Sequence, residues 1–81
     1  MAKTWTYKYG DNTIEVVNRA SGEELRVNGE LQDKQTGISD RSKLWGKLPT
    51  GEEIKASLGG VLTIECSLFI DNKLQTPIGK K

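Results

Sequence analysis

The sequence predicts an all-β protein, either an antiparallel β-sandwich or a small barrel, with about seven to eight short strands joined by hairpins. Apolar and polar residues alternate with a period of two along most of the chain. Gly, Asn, Asp and Pro recur where the alternation breaks, as expected of turns between short strands. No stretch carries the apolar stripe of a stable helix.

The clearest strand prediction covers residues 61–70. Side chains alternate between the two faces of a strand, so an apolar residue at every second position predicts one buried face. Asp71 and Asn72 tolerate left-handed backbone and are expected to turn the chain into a returning strand at residues 73–75. The apolar positions of the long strand are Leu62, Ile64, Cys66, Leu68 and Ile70.

The same pattern predicts the other strands. Gly46, inside one of them, is expected to mark a bulge or a close approach. Residues 37–42 lack an apolar repeat and are predicted to form a loop. The predicted strands are Lys3–Tyr9, 13–18, the two arms of a hairpin around Asn28-Gly29, 43–48 and 53–58.

The hairpin at Asn28-Gly29 allows two registers. A two-residue turn would mix apolar and charged side chains on each face. A three-residue loop, with Gly29 in the left-handed conformation, pairs Leu25 with Leu31 and separates apolar from polar residues. We predict the second register.

The length of 81 residues predicts a single domain, residues 1–81, in which residues 77–81 form a frayed tail. A three-residue loop in the second hairpin would likewise pair Leu68 with Leu74. The predicted core consists of Trp5, Tyr7, Ile14, Val16, Leu25, Leu31, Leu44, Leu48, Ile54, Leu58, Leu62, Ile64, Cys66, Leu68 and Leu74.

Charge and residue types exclude several functions. Twelve Lys and Arg against eleven Asp and Glu leave a net charge of +1, so no net field attracts nucleic acid or a membrane. The chain has no histidine, which excludes His-based triads, zinc sites of Cys and His, and imidazole-ligated haem. The adjacent carboxylates Glu23-Glu24 and Glu52-Glu53 point to opposite strand faces and are predicted to be solvated. We expect no catalytic residue, cofactor or metal.

Cys66 is the only cysteine, so the chain cannot form an internal disulfide. Its place among apolar positions predicts a small buried thiol. The sequence contains no apolar N-terminal run and no apolar span of membrane length. These features lead us to expect a cytoplasmic protein without a membrane partner.

Two aromatic residues are candidates for a binding patch. Trp45 lies on the strand phase opposite Leu44 and Leu48, and Phe69 lies on the polar phase of the long strand. If both are exposed, they mark a partner-binding patch; otherwise they cover the second face of a sheet.

The first strand offers a different kind of site. Trp5, Tyr7 and Tyr9, flanked by Lys3 and Lys8, could form an aromatic and basic platform for single-stranded nucleic acid. We favour the alternative that these rings face the core, because a domain of this size needs them there.

A series of motifs runs through residues 13–75. They are Thr-Ile-Glu-Val at 13–16, Ser-Gly at 21–22, Val-Asn-Gly-Glu at 27–30, Leu-Trp-Gly-Lys at 44–47 and Ile-Asp-Asn-Lys-Leu at 70–74. In this order they resemble the Fas apoptotic inhibitory molecule domain and short bacterial domains with the same hairpins. The resemblance implies an antiparallel β-sandwich that binds proteins and has no enzymatic activity, and it implies no particular site residues.

The sequence therefore favours a small protein-interaction module that is not an enzyme. Its expected partner is another protein or a second copy of the chain. The alternative is a small β-barrel that binds single-stranded nucleic acid.

Overall fold

A computed structural model describes residues 2–36, 41–60 and 63–80. Within these residues the chain forms nine strands and no helix, and every strand pair is antiparallel. The predicted all-β fold is confirmed. The strands are β1 (Lys3–Tyr9), β2 (Asn12–Arg19), β3 (Gly22–Val27), β4 (Glu30–Thr36), β5 (Arg41–Lys47), β6 (Glu53–Gly59), β7 (Glu65–Ile70), β8 (Lys73–Gln75) and β9 (Gly79–Lys80).

The strands form two sheets that enclose one core. Sheet A has the order β4-β3-β2-β1-β9 and sheet B the order β5-β6-β7-β8. Neighbouring strands are mostly consecutive in the chain, as short hairpin turns require. Side chains from the inner faces of both sheets meet in a single cluster of buried residues, as in a β-sandwich or an open barrel.

The period of two in the sequence explains which side chains are buried. Trp5 lies opposite Val16 and Tyr7 opposite Ile14, so both pairs share the inner face of sheet A, and each of the four is at most 1% exposed. Beyond the predicted core, Val17, Val27, Ala56 and Ile70 are also buried. The correctly predicted core residues are Trp5, Tyr7, Ile14, Val16, Leu25, Leu44, Leu48, Ile54, Leu58 and Leu68.

The predicted three-residue hairpin loop is wrong. Asn28 and Gly29 both have positive φ, 52° and 84°, and form a two-residue turn that places Arg26 opposite Leu31. A register shift beyond Arg26 then brings Leu25 opposite Asp33. After this bulge Asp33 is the one partly buried residue of β4, and the other residues of the strand are exposed.

The second hairpin differs from its predicted register in the same way. Asp71 and Asn72 form a two-residue turn with φ of 50° and 65°, and Leu74 lies opposite Phe69 rather than Leu68. Opposed residues share a face, so Leu74 points away from the core together with Phe69 and is 66% exposed. In the first hairpin Leu31 shares a face with Arg26 and is 49% exposed.

The predicted strand at residues 61–70 is too long. Strand β7 begins at Glu65, and Gly60 lies so close to Thr63 that a Cβ atom there would be 1.8 Å from the Thr63 carbonyl oxygen. The chain therefore folds back on itself before β7. Ile64 and Cys66 are only partly buried, and residues 61–62, including the predicted core residue Leu62, lie outside the described residues.

Of residues 77–81, which the sequence predicts to fray, the structure places Gly79 and Lys80 in strand β9. Gly79 pairs with Thr6 on the free edge of β1, and the Ile78 amide donates to the Thr6 carbonyl oxygen at 2.7 Å. The edge of β1 presents backbone groups that need partners, and the chain end supplies them. Of the predicted loop at residues 37–42, residues 37–40 lie outside the described part and the remainder begins β5.

Side chains of β4 join one edge of sheet A to β5 in sheet B. The Trp45 amide donates to Asp33 Oδ2 at 2.9 Å, and the Lys47 amide donates to Gln32 Oε1 at 3.3 Å. At Gly46 the backbone approaches Leu25 so closely that a Cβ atom would lie 3.0 Å from Leu25 Cδ2. The predicted close approach is confirmed, and it fixes the strand that carries Trp45.

Candidate functional site

Four side chains form a row across the outer face of sheet B. Trp45 on β5 lies opposite Lys55 on β6, Lys55 lies opposite Phe69 on β7, and Phe69 lies opposite Leu74 on β8. We call these four residues the outer row. Directly opposed residues point to the same face, so the row crosses all four strands.

The position of the outer row follows from alternation along each strand. The preceding residues Leu44, Ile54 and Leu68 are buried in the core, so Trp45, Lys55 and Phe69 point outward. The sequence predicted exposure of Trp45 and Phe69 together as one possibility. The structure brings them to one face, separated by one strand.

Lys55 fills the space between the two rings. Its ammonium nitrogen lies 5.9 Å from the centre of the Trp45 ring and 5.0 Å from that of the Phe69 ring. Both distances are within cation–π range, and a lysine stem also covers apolar surface. Each ring therefore presents one of its faces to the lysine.

The outer row remains accessible at both ends. Trp45 is 56% exposed and Leu74 is 66% exposed, while Phe69 is partly buried. The other large exposed apolar residues, Leu31 and Ile78, are not part of this row. Single exposed apolar residues are ordinary, but here Phe69 and Leu74 are direct neighbours and Trp45 lies on the same face across Lys55.

The charges around the outer row are unevenly distributed. Lys43 and Lys47 flank Trp45 on the same face of β5, and both are exposed. Glu53 begins β6 and Asp71 follows β7 at the β7–β8 turn, where Asp71 Oδ1 accepts from the Glu53 amide at 3.1 Å.

Lys55 has no ion pair with a carboxylate in the part of the chain that the structure describes. The ion pairs found there join Glu24 to Arg19 and Arg26, on the other sheet. The ammonium is thus held by two rings without a neutralising group.

Two members of the outer row, Lys55 and Leu74, were missed by sequence reasoning. The predicted three-residue loop pairs Leu74 with Leu68 and so places it in the core, whereas the two-residue turn pairs it with Phe69. A two-residue turn at Asp71-Asn72 would have placed it beside Phe69 from the sequence. Nothing in the sequence indicates that Lys55 lies between the two rings, because this depends on the pairing of β6 with β5 and β7.

The candidate platform on β1 is largely buried. Trp5 and Tyr7 are each 1% exposed, and Tyr9 packs partly against the core. Lys3 lies 5.8 Å from the centre of the Trp5 ring and donates to the Ile64 carbonyl oxygen at 3.1 Å. The rings of Trp5 and Tyr7 cannot stack with a base.

The thiol of Cys66 is paired with Tyr7, whose hydroxyl donates to Cys66 Sγ at 3.5 Å. Burial raises the pKa of the Cys66 thiol above its ordinary value of 9.0, although the Tyr7 hydrogen bond opposes the shift. Burial, together with Cys66, also raises the pKa of the Tyr7 phenol. At neutral pH the thiol is protonated, which makes it a poor nucleophile.

Glu23 corrects the prediction that both residues of its pair are solvated. It is only 4% exposed, and its carboxylate accepts from Ser42 Oγ and from Asn18 Nδ2, the latter at 3.0 Å. Its neighbour Glu24 lies on the other face, as alternation requires. The Glu23 oxygens each have a donor within the protein, so this buried group joins β2, β3 and β5.

The fold and the outer row define a small antiparallel protein of two β-sheets, a sandwich or open barrel, with an aromatic and lysine face on one sheet. In residues 2–36, 41–60 and 63–80, no three metal-ligating side chains converge, and no helix could span a membrane. No protein-family model, curated protein or solved structure matches the chain. The resemblance to the Fas apoptotic inhibitory molecule domain stays a prediction.

Proposed function

We propose that this chain is a protein-interaction module without enzymatic activity, and that it binds a partner protein through the outer row. The observation that carries the proposal is the alignment of Trp45, Phe69 and Leu74 on one exposed face. Trp is enriched among residues that dominate binding energy, and exposed apolar residues gain most when a partner covers them.

The rigidity of the site supports this proposal. Each member of the outer row is on a strand whose register is fixed by backbone pairing, and Trp45 is held further by the hydrogen bond from its amide to Asp33. A preformed surface loses little conformational entropy on binding.

The opposite face of the protein is a poorer binding surface. On sheet A the outward side chains include Thr6, Glu15, Glu24 and Arg26, and Glu24 forms ion pairs with two arginines. These groups are already paired or well solvated.

The size of sheet B favours a short segment over a large folded surface as the occupant of this face. Three strand spacings and a seven-residue strand give a face of about 14 by 24 Å, or roughly 340 Å². A stable interface between two folded proteins, identical or different, generally buries about 800 Å² on each partner. The proposed partner therefore places a narrow segment on this face.

Binding of single-stranded nucleic acid is not favoured, because two of the rings expected to stack with bases, Trp5 and Tyr7, are buried in the core. A binding role in the cytoplasm remains part of the proposal, because the only cysteine is a free thiol.

The experiment compares capture of proteins from a lysate of the source cells by three forms of the chain. These are the unaltered chain, the double variant Trp45→Ser/Phe69→Ser and the control Leu31→Ser, which removes an exposed apolar residue from sheet A. We expect a protein that the unaltered chain and the control retain and the double variant loses. That protein, purified, should bind the chain directly in calorimetry.

Equal capture by all three forms would contradict the proposal. Sedimentation analysis of the purified chain tests the other occupant: a dimer that the double variant dissociates would assign the face to self-association instead.

A further inference from the structure

We infer that the partner of the outer row is an extended protein segment carrying a carboxylate between two apolar side chains, with the carboxylate bound by Lys55. This inference rests on the proposed function and specifies its partner. It follows from the charge, the length and the ring geometry of the outer row.

The charge argument begins with the ammonium of Lys55. It is partly buried between Trp45 and Phe69 and has no ion pair within the described residues. Lys43 and Lys47 add positive charge on the β5 side. A partner carboxylate over Lys55 would pair with an ammonium that has no ion pair within the described residues, and a charge-assisted hydrogen bond is stronger than a neutral one.

The carboxylates on this face do not supply that pairing. Asp71 already accepts the amide of Glu53, and both residues lie beside the β7–β8 turn, one row away from Lys55. The face is therefore basic around Trp45 and acidic at the turn. A segment with its acidic group near the middle of the row matches this distribution.

The length of the row suits a short extended segment. Four strands span about 14 Å, and alternate side chains of an extended chain lie roughly 6.6 Å apart on one face. A five-residue segment thus places three side chains along the row. The central one reaches Lys55, and the outer two contact Trp45 at one end and Phe69 with Leu74 at the other.

Single-stranded nucleic acid fits the outer row less well than a protein segment does. Trp45 and Phe69 each turn one face toward the Lys55 ammonium, so a base could stack only on the opposite face of each ring. The net charge of +1 also provides little attraction for a phosphate backbone. Apolar side chains can still pack against the ring edges and against Leu74.

The test uses four probes and NMR titration of the intact, isotope-labelled chain. The first probe is the blocked peptide Leu-Ser-Asp-Ser-Leu, and the second replaces its Asp by Asn. The third, Ser-Leu-Asp-Leu-Ser, keeps a carboxylate but moves the apolar side chains to the other face. The fourth is a ten-nucleotide oligothymidine.

We expect the first peptide to shift the amide signals of the outer row and to bind about fivefold more tightly than the Asn peptide, as an ion pair of about 1 kcal/mol gives. Lys55→Met should abolish this preference. The matched control Lys34→Met removes a lysine from sheet A and should preserve it.

Equal binding of the Asp and Asn peptides would overturn the acidic specificity and leave the proposed function intact. Binding of the third peptide as tightly as the first would overturn the proposed placement of the two apolar side chains on the same face as the carboxylate. Binding of oligothymidine to the outer row more tightly than any peptide, or no shift of the row with any probe at millimolar concentration, would overturn the inference as a whole.

Discussion

The ammonium of Lys55 lies 5.0 Å from the centre of the Phe69 ring, directly across from it on the neighbouring strand. The same ammonium reaches the Trp45 ring on the other side. The lysine thus separates the exposed Trp45 ring from the partly buried Phe69 ring and interrupts what would otherwise be a continuous apolar surface.

Substitution of the two tryptophans should lower the unfolding free energy by very different amounts. Trp5→Ala removes a buried ring and should cost about 3–5 kcal/mol of unfolding free energy, whereas Trp45→Ala should cost no more than about 1 kcal/mol. Urea unfolding followed by circular dichroism measures both values. Acrylamide should quench the fluorescence of Trp45 in a Trp5→Phe variant readily. Strong protection of that fluorescence would contradict the exposed outer row.

The link between the sheets can be broken at Asp33. Asp33→Ala removes the acceptor of the Trp45 amide and should lower the unfolding free energy by about 1 kcal/mol. Hydrogen exchange of the Trp45 amide should accelerate at the same time. Lys34→Ala changes the next side chain on the opposite phase of β4 and serves as the control. An unchanged exchange rate in Asp33→Ala would show that the bond does not hold β5.

The second hairpin should tolerate glycine at one turn position better than at the other. Asn72→Gly relieves a left-handed conformation and should stabilise the chain by about 0.5 kcal/mol. Asp71→Gly gives the same relief but loses the acceptor of the Glu53 amide, so its gain should be smaller or reversed. Thermal unfolding compares the variants. Cross-strand NMR contacts that pair Leu74 with Leu68 instead of Phe69 would refute the two-residue turn.

Stability should fall at alkaline pH because of Cys66 and Tyr7. Burial raises the pKa values of both groups in the folded state, so the unfolded chain loses these protons at lower pH than the folded one. Their contribution is fully present below pH 9.0, the ordinary value for the thiol, and is lost as the pH rises toward the folded-state pKa values. Urea midpoints measured from pH 7 upward test this. Tyr7→Phe should flatten the decline, and an identical decline would assign it to other groups.

The buried carboxylate of Glu23 should be far more sensitive than its neighbour. Glu23→Leu leaves the Ser42 hydroxyl and the Asn18 amide without their acceptor and should cost about 1–3 kcal/mol for each. Glu24→Leu removes exposed ion pairs and should cost within about 1 kcal/mol. Denaturant unfolding of both variants provides the comparison. Equal costs would mean that Glu23 is solvated, as the sequence suggested.

The sequence predicted the fold better than it predicted the candidate site. Alternation placed Trp5, Tyr7 and Leu68 in the core, and it placed Trp45 and Phe69 on the polar phase of their strands. It failed at Leu31 and Leu74, because both positions depend on turn length. A change of one residue in a hairpin loop moves every following side chain to the other face.

The amino-acid sequence by itself determined the all-β class, the approximate strands and most of the core, since period and turn chemistry are local properties. Only the tertiary structure decided that Lys55 lies between Trp45 and Phe69 and that Leu74 completes their row. These residues are far apart in the chain and meet through the pairing of β5, β6, β7 and β8. Such pairing depends on which strands share a core, and a pattern within one strand carries no record of its neighbours.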